Sequence, residues 1–246
     1  MEAASSVGHL PQGERWRFDQ AVIDCFDDMA DRSIPLYRET IELCCQLAMR
    51  HLPPGFACNV LDLGVSTGNT LARLQRELAN AKGPVQVRMT GVDCEQGMLD
   101  KARARLGPSV ILVKHDLRER LPYSIFAQRP RVVFLLWSAQ FVPIEHRSRL
   151  IADIRKAMDP DGALFVAEKL RGQSAAFQTA LAETYRDFKR RAGYPPEEID
   201  AKAKALEGAL VSLNAPEQKA LLQSEGFAVE EVIRYLGFAA WYCLPR

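Results

Sequence analysis

Asn59-Val60-Leu61-Asp62-Leu63-Gly64-Val65-Ser66-Thr67-Gly68-Asn69-Thr70 decides the fold, because a short apolar run breaks there into a turn holding two glycines and a small residue. Val60, Leu61 and Leu63 suit a buried strand, and Leu71-Ala72-Arg73-Leu74 opens a helix. Gly64 and Gly68 admit backbone conformations and close approaches that a Cβ would forbid, so the amides at the helix start face whatever binds. A strand, glycine turn and helix in this order outline a nucleotide cradle, although similar turns also serve dinucleotides and phosphates.

Two more acids fall at the next strand ends. Met89-Thr90-Gly91-Val92-Asp93 puts a carboxylate where ribose hydroxyls bind in a doubly wound sheet, and Cys94 after it offers a backbone amide. Val110-Ile111-Leu112-Val113 runs into Lys114-His115-Asp116-Leu117, where Asp116 can accept from an adenine amino group and the Leu117 amide can donate to the ring. Singly, each acid also reads as a helix cap or turn residue. Three in succession point to an adenosine site.

The turn chooses between adenosine ligands. Its middle glycine slot is Ser66, so Gly-x-Ser-x-Gly fits a pyrophosphate poorly. Asp62 would repel a phosphate but hold an ammonium, directly or through water. S-adenosylmethionine carries that ammonium and a sulfonium without a phosphate, so it is the expected cosubstrate or sole substrate.

At 246 residues, 48% hydrophobic and 26% charged, the chain is long enough for one α/β domain with a helical addition. The net charge of +1 gives no bulk attraction to nucleic acid or an anionic membrane, which leaves a small molecule as the expected partner. Lys101-Ala-Arg103-Ala-Arg105 and Arg186-Asp-Phe-Lys189-Arg190-Arg191 read as solvated helix faces. Six cysteines without a C-x-x-C pair and four scattered histidines predict reduced thiols, no metal and a cytoplasmic setting. No apolar run approaches the roughly 18 residues of a membrane span, and no export signal is expected.

After an N-terminal arm to about Arg15, helices are expected over Phe18–Met29 and Ile34–His51. Strands are expected at Asn59–Leu63, Gln86–Val92, Val110–Lys114, Arg131–Trp137, Gly162–Lys169, Phe227–Ile233 and Leu236–Leu244, with helices between the first five. That alternation predicts a doubly wound, Rossmann-like α/β fold with a seven-stranded, mostly parallel sheet. One domain over 1–246 is expected, made of an N-terminal helical cap at 16–52, a cofactor-binding core at 59–169, a helical lid at 171–216 and C-terminal strands at 217–246. The lid should hold helices over Ala175–Arg191 and Pro196–Leu213.

The chain resembles class I methyltransferases and, among them, the carboxy-S-adenosylmethionine synthases. The likeness rests on Phe18-Asp19, Asp31-Arg32-Ser33-Ile34-Pro35-Leu36-Tyr37, Asp62-Leu63-Gly64-Val65-Ser66, Gln140-Phe141, Gly162-Ala163-Leu164, Glu168-Lys169, Asp187-Phe188-Lys189-Arg190 and Gly193-Tyr194. It implies cofactor contacts from Tyr37, Gly64, Val65, Ser66, Asp93, Cys94, Asp116 and Leu117, and a homodimer. Two positions depart from the family pattern. Leu136 stands for an Asn at the fourth strand end, and Ala203 for the Arg that clamps the added carboxylate. Lys202 and Lys204 flank Ala203, each turned about 100° away on a helix.

Without the clamp, two chemistries remain for the sulfonium: methyl transfer to a small acceptor, or attack by the cofactor's own amine on its γ-carbon. The second closes azetidine-2-carboxylate, releases methylthioadenosine and needs no second substrate; azetidine-forming enzymes of natural-product pathways on a methyltransferase-like fold are similar at that level. It wants a dry site, a neutral amine and a stabilised sulfonium. Trp137, Phe141 and Tyr185 are candidates for an aromatic wall; Tyr185, Ser212, Gln140 and Asn214 are candidates to orient or deprotonate the amine. Trp137 and Phe141 also read as core packing.

Overall fold

The computed structural model describes residues 19–81, 83–126 and 129–246; the N-terminal arm and Phe18 lie outside them. Helix α1 spans Gln20–Ser33, with the Asp19 carboxylate accepting the Val22 amide at its start. It runs four residues past the expected Met29, to Ser33, and stops there because Ile34 precedes Pro35 and is held extended. Helix α2 spans Tyr37–Ala48 and passes into a 3-10 turn at Met49–His51.

Strand β1 (Ala57–Leu63) and helix α3 (Asn69–Ala79) flank the glycine turn, as the opening stretch predicts. Then follow β2 (Gln86–Asp93), α4 (Gln96–Leu106), β3 (Ile111–Lys114), β4 (Val132–Leu136), α5 (Ile144–Ala157) and β5 (Ala163–Lys169). After α6 (Ala175–Arg191), α7 (Pro196–Ala205) and α8 (Ala215–Ser224), the chain closes on β6 (Phe227–Tyr235) and β7 (Phe238–Pro245). The sheet order is β3-β2-β1-β4-β5-β7-β6, parallel except for β7, which runs antiparallel to both neighbours. All five residues of β4 are buried, as befits the centre of a sheet covered on both faces.

The two faces separate by period-two alternation. Val60, Phe134 and Phe165 pack with Cys44, Leu71 and Leu74 on the α2/α3 side. Leu61, Leu63, Val133 and Leu135 pack with Leu150, Ile154 and Trp241 on the α5 side. This fixes the carboxyl edge of β1, β2, β4 and β5 as one row, above which the segment between β5 and α8 folds.

That segment departs from the sequence expectation at its second helix, which ends at Ala205 and not Leu213. Gly208, at φ +72°, breaks it. The chain then crosses the sheet edge as an extended strap, with the Val211 amide donating to Gln140 O at 2.9 Å and the Arg171 amide to Leu213 O at 3.0 Å. Asn214 and Glu217 form a reciprocal capping box that starts α8, so the Asn214 side chain serves the helix end.

Candidate active site

The carboxyl edge, α1, α6 and α7 enclose a cavity of ≈ 1940 Å³. That exceeds the about 300–1,000 Å³ usual for a ligand pocket, so there is room beyond a nucleoside. The glycine turn forms its floor. Gly64, at φ +86°, lies so close to Ser138 that an added Cβ would fall 1.9 Å from Ser138 Oγ. Its amide and that of Val65 both donate to Val92 O, which ties the turn to β2.

Asp93 sits where β2 ends, one carboxylate oxygen accepting the Ser66 amide at 2.8 Å and the other the Glu95 amide at 3.0 Å. Burial pushes its pKa up against these hydrogen bonds. Each oxygen keeps a lone pair for a hydroxyl. Asp116 is held bidentately by Arg118, which lowers its carboxyl pKa. Cys94, Asp116 and Leu117 all line the cavity, and Cys94 is exposed.

Asp62 behaves differently from the other acids. It is 2% exposed, does not line the cavity, and its Oδ2 has no hydrogen-bond partner. Burial, with Asp93 nearby, raises its pKa to about 8. His115, which does line the cavity, likewise leaves a buried Nε2 without a partner. The unpartnered His115 nitrogen and the remaining lone pairs of Asp93, both at the cavity wall beside a turn that a Cβ would fill, suit a ligand with an adenine ring and hydroxyls, so the residues present fit S-adenosylmethionine.

At the opposite side of the turn, Tyr37 and Trp137 meet with ring centroids 4.8 Å apart. Trp137 takes a left-handed φ of +55°, uncommon for a bulky side chain, with its amide donating to Ala167 O at 2.6 Å. Burial raises the Tyr37 pKa, and its hydroxyl accepts from Asn69 Nδ2 at 3.2 Å. Leu136 is buried at the end of β4 and lines the cavity, so no polar group reaches in from that position.

Gln140 lines the cavity, but its amide serves the backbone, donating to Trp137 O at 3.1 Å and accepting from the Lys169 amide at 3.0 Å. Glu168 lies beneath, taking the Ala139 and Gln140 amides at 3.0 Å each; burial lifts its pKa to about 8 despite Arg147. The Tyr185 hydroxyl donates to Ser33 O at 2.7 Å and so joins α6 to α1, while its ring faces the cavity. Burial raises its pKa, which disfavours a proton-accepting phenolate. Ser212 lines the cavity from the extended strap, not from a helix end.

Three lysines turn inward. Lys189, read from sequence as part of a solvated run, is 5% exposed, since it stands one helical turn from Tyr185 on the inner face of α6. Burial and the neighbouring lysines bring its pKa down to about 7. Lys202 is 7% exposed, shares the buried face of α7 with Ile199, and bonds Ser33 Oγ at 3.3 Å. Its pKa falls to about 8, chiefly through burial. Lys202, Ala203 and Lys204 all line the cavity, so the helical offset around Ala203 does not carry the lysines out of it. Burial also lowers the Lys169 pKa.

Sequence reasoning also missed a brace on the glycine turn. Asp27 of α1 accepts from Thr67 Oγ1 at 2.6 Å and Asn69 Nδ2 at 3.0 Å, while Arg105 reaches Asp27 and the Thr67 carbonyl. Arg105 is therefore not a free member of a solvated basic face. Among the described residues no group of three or more potential metal ligands assembles, and no helix is long and apolar enough to cross a membrane.

A glycine turn after β1, acids at the ends of β2 and β3, and an antiparallel last strand define the class I methyltransferase fold with its S-adenosylmethionine site. Residues 60–162 match the methyltransferase domain family. An O-methyltransferase family protein from Burkholderia thailandensis superposes with a TM-score of 0.64 at 17% identity, over 92% of this chain and 60% of that one. Magnesium protoporphyrin IX methyltransferase from Synechocystis with bound SAH gives 0.61 at 12% identity, over 93% and 96%. The chain belongs to the carboxy-S-adenosyl-L-methionine synthase family. It is 34% identical to the protein of that name from Wolinella succinogenes, over 93% of this chain and 92% of that one. With the one from Chromohalobacter salexigens it shares 35%, over 94% and 84%.

Proposed function

We propose that this enzyme consumes S-adenosylmethionine by ring closure within the methionine chain. The neutral α-amine attacks the γ-carbon, a nitrogen–carbon bond forms, and the carbon–sulfur bond breaks with its pair remaining on sulfur. The products are azetidine-2-carboxylate and methylthioadenosine; the proton that frees the amine leaves beforehand to solvent or a basic side chain. The observation that carries this reading is Ala203, which lines the cavity where the family pattern has a carboxylate-binding arginine. The arginines that do line it, Arg118, Arg171 and Arg186, pair with Asp116, Glu217 and Asp200.

The surroundings suit the chemistry. Tyr37 and Trp137 offer aromatic faces to a sulfonium. Asp62, with its pKa near 8 and no place in the cavity wall, does not hold the amine protonated as an ionised neighbour would. In this reading residues 171–216 act as a lid that excludes water, latched by Tyr185 on Ser33, and Trp137, Gln140, Tyr185 and Ser212 shape the reacting end. No metal, nucleic acid or membrane is needed, which suits a cytoplasmic natural-product enzyme; the family likeness is the ground for expecting a homodimer.

Incubation with S-adenosylmethionine alone, followed by mass spectrometry, tests the proposal: both products must form together without an acceptor. Lys202, buried beside Ala203, favours a second reading as a carboxy-S-adenosylmethionine synthase in which a lysine takes over the clamp. A carboxylate mass gain on the cofactor when prephenate is added would establish it. Turnover only with an added acceptor would indicate methyl transfer.

A further inference from the structure

Lys169, at the end of β5, and Lys189, on α6, approach the same ring. Their Nζ atoms lie 4.7 and 5.0 Å from the centre of Tyr185, and Lys189 Nζ lies 5.8 Å from that of Tyr194. Among the described residues neither ammonium meets a hydrogen-bond acceptor or a carboxylate within ion-pair distance. Ring faces attract a cation only weakly compared with what burial of like charges costs. Lys202, bonded to Ser33 Oγ beside Tyr194, adds further positive potential.

We propose that Lys169 and Lys189 form a subsite for a carboxylate carried in by the ligand. This rests on the ring-closing reading for its assignment: the occupant is then the methionine carboxylate of S-adenosylmethionine, the anion available in a molecule without phosphate. Binding there folds the methionine chain toward the lid and away from Asp62. The same ammoniums stand beside the α-amine, where like charge favours its neutral, nucleophilic form.

Calorimetry of S-adenosylhomocysteine against its decarboxylated analogue, S-adenosyl-3-thiopropylamine, reads the carboxylate directly. Wild type should bind the carboxylate form at least tenfold more tightly. Lys189→Met should collapse that ratio to within about threefold, and Lys189→Arg should keep most of it; removing an uncompensated buried charge leaves the fold intact, checked by thermal unfolding. In a second arm, malonate is titrated into protein saturated with methylthioadenosine. Malonate binding lost in Lys189→Met, with the first ratio unchanged, assigns the subsite to a separate carboxylate substrate. If Lys189→Met alters neither measurement, the subsite does not exist. Azetidine-2-carboxylate formation is scored apart, so loss of the ring-closing reading is recognisable without loss of the subsite.

Discussion

Replacing Asp62 by Asn tests the electrostatics of the pocket floor. Asp62 is buried, one oxygen lacks a partner, and burial with Asp93 nearby lifts its pKa to about 8. In the unfolded chain the same carboxyl titrates near 3.9. Between those values the folded state binds a proton that the unfolded state has released, so stability is fully present below about pH 4 and is lost as pH rises through 8. Each pH unit in that window is worth about 1.4 kcal/mol, for a total on the order of 5 kcal/mol. An Asn of the same shape stays neutral and carries no such slope. Asp62→Asn should therefore match wild type near pH 4 and exceed it by about 5 kcal/mol at pH 8.5, roughly 10–20 °C in melting temperature for a chain of this size. Differential scanning fluorimetry of the ligand-free proteins from pH 4.5 to 9 reads this directly. Parallel curves for the two proteins would refute the assignment of a neutral Asp62. Calorimetry in buffers of different ionisation enthalpy adds a second readout. If S-adenosylhomocysteine seats its ammonium on Asp62, binding at pH 7 releases a proton in wild type but not in Asp62→Asn; equal proton counts place the ammonium elsewhere.

Gly64→Ala must leave the left-handed region or strain there, at about 1 kcal/mol, and also push its Cβ into Ser138 Oγ; urea denaturation should show that Ser138→Gly restores the clash component and leaves the 1 kcal/mol. Tyr185→Phe leaves the Ser33 carbonyl without its phenol donor, costing about 1–3 kcal/mol of stability, and turnover should fall several-fold while S-adenosylhomocysteine affinity stays within twofold; wild-type turnover would remove the latch from the mechanism. Glu168→Ala strips the buried Ala139 and Gln140 amides of their acceptor, a loss of about 2–5 kcal/mol by chemical denaturation, whereas Glu168→Gln, which keeps one acceptor, should lose less than half of that.

The sheet was legible because its signals are local. Apolar runs ending in Gly64, Asp93 and Asp116 mark the carboxyl edge, and each strand lies within two residues of where the alternation puts it. The apolar spacing of residues 206–213 predicts a helix running on to Leu213, but it ends at Ala205, and Gly208 at φ +72° overrides the spacing beyond it. The missed site residues share a different cause. Lys189 and Arg105 sit in basic runs that look solvated along the chain, and only tertiary packing shows that Lys189 turns toward Tyr185 and Arg105 toward Asp27. The i, i+4 spacing of Tyr185 and Lys189 was the available clue. Asp62 shows the reverse limit: its position beside the glycine turn was readable, but its pKa depends on burial and on Asp93, which no spacing reveals.

The charge layout separates holding a cation from activating an amine. An ionised carboxylate lining the pocket would grip the ligand's ammonium and keep it protonated, which serves methyl transfer and hinders nitrogen attack. Here the acid under the turn is pushed toward neutrality and lies behind the wall, while the end of β5 contributes Lys169 and helices α6 and α7 contribute Lys189 and Lys202. Ala203 and Leu136 remove polar groups from the same region without disturbing the sheet that positions it. Under the proposed ring closure, the charge that favours a neutral amine sits at the rim of the pocket, while Asp93 and Asp116 keep their places in its wall.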